Sequence, residues 1–121
     1  MQKFDHEKLK VYQKSIQFVD WSTDLLSCVP KSCAVYNQFD RASTSIPLNL
    51  AEGNGKYTSA DRCRYFDIAR GSALECAACL DVLIAKEAVS DEKVLEGKEI
   101  LVEIVSMIVG LIRSNSKDRT V

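Results

Sequence analysis

Helix breakers are scarce in this chain of 121 residues, which has two prolines and five glycines. With Ala, Leu, Ile, Glu, Lys and Asp plentiful, that scarcity favours long helices. Histidine is nearly absent, since His6 stands alone, and a zinc centre wants about four ligands. A surplus of positive charge is also missing. Lys and Arg number 16 against 17 Asp and Glu, for a net charge of −1, which argues against strong unspecific binding to nucleic acid. No apolar run approaches the ~20 residues needed to cross a bilayer. The opening Met1-Gln2-Lys3-Phe4-Asp5-His6 is too polar for a secretory leader.

Five cysteines, Cys28, Cys33, Cys63, Cys76 and Cys79, make an odd set. Without a leader they point to a cytoplasmic protein with reduced thiols. The length suits one domain with a single core. No strand pattern and no repeat is visible. The expected division is one helical domain over 4–113 and a polar tail over 114–121.

Four amphipathic stretches follow in order. Asp5 is placed to cap a first helix, with Glu7 in its first turn. Tyr12, Ile16, Val19, Thr23 and Leu26 form its main row, and Val11, Phe18 and Leu25 a neighbouring one. Val29-Pro30 ends it. Ser32 is the expected cap of the second helix, with Val35, Phe39, Ala42, Ile46, Asn49 and Gly53 as its face. Pro47 lies inside that pattern and removes one backbone donor. The apolar row keeps its phase across it, so a kink is expected rather than a break. Gly53-Asn54-Gly55 reads as a left-handed stop.

Thr58 and Asp61 resemble a capping box for the third helix. Phe66, Ala69, Ala73, Cys76, Leu80 and Leu83 form its heptad seam. Gly71, Ser72 and Ala73 make a slim surface suited to close helix approach. Ser90 opens the fourth helix, with Asp91 and Glu92 behind it. There Leu101, Ile104, Ile108 and Leu111 form one seam, and Val102, Val105, Val109 and Ile112 a second. Roughly half of that surface would face water in a single copy, and patches of that size mark interfaces. The second seam is therefore the expected oligomer interface. Four such helices with short links make an all-α, up-down-up-down bundle.

A polar set occupies the middle of helices two and three: Arg41, Ser45, Asn49, Glu52, Ser72 and Glu75. Reversal near Gly55 puts Arg41 level with Gly71 to Ala73 and within a turn of Glu75. The expectation is an Arg41–Glu75 pair inside a register-fixing network, because a half-buried carboxylate needs a partner. No nucleophile and base accompany it, so no enzyme is read here. Cys76-x-x-Cys79 lies in an apolar face and reads as packing thiols. Gly53-Asn54-Gly55-Lys56 lacks the spacing of a phosphate loop. Lys56, Arg62, Arg64 and Arg70 are the best basic cluster and the possible nucleic-acid contact. The fourth helix lacks the basic bias of a membrane-surface helix. No cofactor, metal or small-molecule substrate is indicated.

Two ordered motifs remain: Ser45-Ile46-Pro47-x-Asn49-x-Ala51-Glu52-Gly53, and Arg64-x-Phe66-x-x-Ala69-x-Gly71-Ser72-x-x-Glu75. With the opening Phe4 to Tyr12, they resemble a small bacterial family of four-helix-bundle proteins. That family was first noted as reading frames inside intervening sequences of 23S ribosomal RNA genes. The resemblance runs over about residues 4–112, nearly the whole chain. It implies a left-handed four-helix bundle that assembles into a five-fold homo-oligomeric ring. Relatives include the accessory protein of diversity-generating retroelements, which binds nucleic acid and partners a reverse transcriptase. Most members have no established activity. This chain differs in carrying Asp40-Arg41 where the family tends to have two basic residues, and in being slightly acidic overall.

Overall fold

The computed structural model describes residues 3–116. A single 3-10 turn, Asp5–Lys8, precedes four α-helices: α1 Lys10–Leu26, α2 Ala34–Asn54, α3 Ser59–Ala85 and α4 Asp91–Asn115. No strand occurs among the described residues. Residues 117–121, most of the expected polar tail, lie outside them. Ser114 and Asn115, placed in that tail by composition, continue α4 instead. Asn115 is held there by the Arg62 Nε–H, which donates to its Oδ1 at 2.9 Å.

The helices run antiparallel in sequence order. Asp5 meets Asn54, tying the start of the chain to the end of α2. Gly53 of α2 lies on Tyr65 and Phe66, early in α3. Asp81 pairs with Lys98, and Arg62 with Asn115, fixing α3 against α4. Lys14–Glu103 and Trp21–Glu96 close α4 back onto α1. Each helix packs on two neighbours and none on its diagonal opposite, which is an up-down-up-down bundle.

Asp5 does not cap α1. The turn closes on itself, with the Phe4 N–H donating to the Glu7 carboxylate at 2.7 Å, and extended Leu9 separates it from the helix. The face that α1 buries is Val11, Ser15, Phe18, Ser22 and Leu25, with Leu26 beside it. Ile16, from the row expected to lead, is exposed. Two serines at core positions explain the difference. Their small side chains let α1 settle close, so that Phe18 is fully buried edge-on to Phe39 at 6.1 Å. Ser15 donates to the Tyr12 carbonyl at 2.7 Å, which makes its burial tolerable.

Helix α2 passes through Pro47 as one helix. The Pro47 ring is itself buried, so apolar burial offsets part of the lost hydrogen bond. Upstream, the Ser43 and Thr44 hydroxyls both donate to the Asp40 carbonyl, at 3.0 and 2.8 Å. Leu50 is fully buried where the expected row had Asn49, which is only half-buried. Cys33, not Ser32, occupies the cap position, and no side chain bonds there.

The glycine stop also differs from expectation. Gly55 is right-handed at φ −85, and no glycine has a positive φ. Gly53 instead serves close approach. A Cβ there would stand 2.9 Å from both the Phe66 Cε1 and the Tyr65 Cβ, and 3.1 Å from the Arg62 carbonyl. Gly71, expected in that role, faces open space. The left-handed residue is Glu87 at φ 58. It ends α3 in a Schellman motif, with Ala88 N–H on Leu83 O at 2.9 Å and Glu87 N–H on Ile84 O at 2.8 Å. Thr58 caps α3 through the Asp61 N–H at 3.1 Å, and Ser90 caps α4 through the Lys93 N–H at 3.2 Å.

The core is one cluster built from Phe18, Phe39, Phe66, Ile46, Leu50, Leu80, Leu83, Ile104 and Ile108, all fully buried. Each such side chain contributes on the order of 1.5–3 kcal/mol. Within this frame the two glycine helices make a sharp contrast. Gly53→Ala should lower stability by about 1–3 kcal/mol, because backbone must shift to admit the methyl. Gly71→Ala should raise it by up to about 1 kcal/mol. Urea unfolding followed by circular dichroism reads both signs, and equal effects would contradict the packing described.

Candidate functional site

Three surface features bring the polar and apolar candidates together. The first is a cleft of about 610 Å³ between the first half of α2 and the middle of α3, lined in part by Gln38, Arg41, Ser45, Ser72 and Glu75. Its floor is a hydroxyl pair, Ser72 Oγ donating to Ser45 Oγ at 2.8 Å. Asn49 Nδ2 adds a bond to Ser45 Oγ at 2.9 Å and one to the Ser45 carbonyl at 2.8 Å. Arg41 and Glu75 do not pair. Both are exposed, so solvent removes the penalty that was expected to force them together. Gln38, one turn before Arg41, donates to Glu75 Oε2 at 3.1 Å instead. Ser45 rather than Arg41 meets Ser72, so the helices are offset by about one turn from the expected level. Glu52 is exposed and outside this group.

The second feature is the end of the bundle at the α2–α3 turn, where the basic cluster divides. Arg62 is internal. It donates to Asn115 Oδ1, to the carbonyls of Asn54 and Lys56 at 3.0 and 3.4 Å, and to Asn54 Oδ1 at 3.4 Å. It thereby covers the carbonyls of Asn54, at the end of α2, and of Lys56 in the turn that follows. Arg70 is half-buried, and its Nε has no partner among the described residues. Lys56 and Arg64 remain, placed over the Tyr65 ring at 5.1 and 5.0 Å. Tyr57, which the charge pattern did not single out, is fully exposed beside them. Its only signal was an aromatic within a polar turn.

The third feature is an apolar groove of about 390 Å³ between α3 and α4, walled by Leu74, Ala77, Leu101, Val102 and Val105, with Lys98 at its edge. Val102 is 69 % exposed and Leu74 52 %. Val109 is half-buried. Ile112 does not belong to this surface: it is fully buried and joins Leu101, Ile104 and Ile108 in the core. Leu111, expected in the core seam, is only half-buried. One further residue of the 3.6 period separates the two positions, which is why the row drifts across the helix.

No cluster of His, Cys, Asp or Glu among the described residues suits a metal ion. Cys76 and Cys79 are buried free thiols. Burial pushes both thiols up from their ordinary range, followed by Cys79 and Glu75 for Cys76 and by Glu75 for Cys79, so neither forms a nucleophilic thiolate readily. His6 stacks on Phe4 at 5.9 Å and meets the edge of Tyr12 at 4.7 Å. No helix among the described residues is long and apolar enough to cross a membrane.

The family described as 23S rRNA-intervening sequence protein matches residues 7–110. Among solved structures, the chain is similar to a protein of unknown function from the S23 ribosomal protein family of Bacteroides thetaiotaomicron. The two share 25 % identity with a TM-score of 0.80, over 85 % of this chain and 98 % of that one. None of the curated proteins matches.

The division of the basic cluster is open to measurement. Arg62→Ala should cost about 1–3 kcal/mol, since it strands buried or half-buried acceptors at the bundle end. Arg64→Ala should change stability by no more than about 0.5 kcal/mol. Thermal and urea unfolding of the two variants side by side test the assignment, and matching losses would sink it.

Proposed function

The chain belongs to the 23S rRNA-intervening sequence protein family, and from that premise we propose that it is a non-enzymatic homo-oligomeric bundle acting as a scaffold or binding module. The supporting observation is the α3–α4 groove. Its walls are aliphatic, and Leu95, Leu74 and Val102 stand exposed along or beside it. An apolar strip of this kind is stabilised when covered. A second copy offers matching aliphatic surface, and a homo-oligomer needs no other partner. The ring of five, the left-handed twist and the kink at Pro47 belong to this proposal, as does a cytoplasmic setting with reduced thiols.

Sedimentation of the full chain and of Val102→Lys tests it. The native chain should sediment as a discrete oligomer. The charged variant should fall to a single copy with unchanged helicity, because a lysine head cannot be buried unpaired across an interface. A native chain that stays a single copy at about 100 μM, a level far above ordinary specific affinities, would overturn the reading.

A second reading rests on the α2–α3 turn. Exposed Tyr57, and Tyr65 beneath Lys56 and Arg64, suit stacking of unpaired bases better than docking of a duplex. In that reading the protein is a nucleic-acid-binding accessory, acting beside ribosomal RNA or a reverse transcriptase. Titration with single-stranded RNA should then show a shallow salt dependence. Two free cations at roughly 0.7 each give a slope of about −1.4 in log affinity against log salt. Tyr57→Ala should weaken binding by about 1–3 kcal/mol. No binding at low salt leaves only the first reading.

A further inference from the structure

We propose that the cleft between α2 and α3 binds a small zwitterion of the α-amino-acid class. Its chemistry is asymmetric. Arg41 and Glu75 carry opposite charges into one space of about 610 Å³, and no ion pair joins them. Each end has its own set of neighbours. At one end Ser45 Oγ accepts from both Ser72 and Asn49, which leaves its O–H as a donor. The Arg41 guanidinium, one helical turn away on the same face of α2, adds more donors. At the other end the Glu75 carboxylate is steadied by the Gln38 amide at 3.1 Å and keeps acceptor capacity.

A ligand carboxylate therefore belongs at Arg41 and Ser45, and a ligand ammonium at Glu75. Ser45 lies about 10 Å along α2 from Gln38, which holds Glu75, with Arg41 between them, and Ser72 and Glu75 are about 5 Å apart along α3, at ~1.5 Å per residue. That span admits an amino-acid head group with a short side chain. Competing ligand classes fit less well. A phosphate or other simple anion would meet the Glu75 charge. A simple amine would meet Arg41. A metal ion would find a single carboxylate. The zwitterion alone satisfies both ends, and each bond it makes is charge-assisted. This site is separate from the α3–α4 groove, so it stands or falls apart from self-association.

The test is calorimetric titration of the full chain with L-alanine, L-norvaline and L-glutamine, with butyrate and butylamine as single-charge controls. At least one amino acid should bind saturably and neither control should. Arg41→Gln and Glu75→Gln should each weaken that binding about two- to fivefold, the worth of one solvent-exposed charge contact. Helicity and sedimentation should not change, since both side chains are exposed. Three results would overturn the proposal: no saturation by any of the three amino acids, equal binding by a control, or charge variants that bind as well as the native chain.

Discussion

Where α2 crosses the start of α3, a glycine stands in for a side chain. A Cβ at Gly53 would stand 2.9 Å from the Phe66 ring and the Tyr65 Cβ and 3.1 Å from the Arg62 carbonyl, closer than a packed side chain tolerates. The α2–α3 pair is the most extensive contact in the bundle, and at this point it leaves no room for a methyl group. It fixes how far apart the helices run, and hence that Ser45 and Ser72 meet at hydrogen-bond distance further along. Arg62, anchored beside the same glycine, carries the constraint across by holding Asn115 at the end of α4.

Four helices were legible because period and composition agree over long stretches. The phase of each helix was less so. In α1 the buried row is punctuated by Ser15 and Ser22, which hydropathy counts as outward residues. Ser15 bonds its own helix, while the buried Ser22 hydroxyl has no hydrogen-bond partner among the described residues, and only packing reveals that both sit in the core. In α4 nearly every candidate position is aliphatic, so hydropathy cannot choose among rows. The bundle chooses by geometry, taking Ile112 inward and leaving Val102 outside. The ends were hardest. A left-handed cap on Glu87 has no glycine to announce it, and the Gly53-Asn54-Gly55 run that announces one does not use it.

The polar residues show the same division between type and partner. That Arg41, Ser45, Ser72 and Glu75 face one cleft between α2 and α3 agrees with their spacing. Which of them bond together does not follow from it, because an offset of about one turn exchanges partners while preserving the face. A charge pair expected from burial is absent because the burial is absent. Arg41 and Glu75 both reach solvent, where pairing gains little over hydration. The hydroxyl and amide bonds at the cleft floor join short side chains on partly buried positions, so they form without that charge pair.

Net charge near zero acquires meaning from where the cations go. Arg62 is committed to four acceptors inside the molecule. Lys98 is paired with Asp81, and Lys14 with Glu103. Lys56 and Arg64 project over an aromatic ring rather than into a shared basic strip. Cations used this way raise little outward field, so steering of a polyanion from a distance is weak. Any nucleic acid held at the α2–α3 turn would owe its affinity to base stacking on tyrosine more than to counterion release. The aliphatic groove between α3 and α4 needs no field at all. Its driving force is water exclusion, which is indifferent to net charge and to salt of moderate strength.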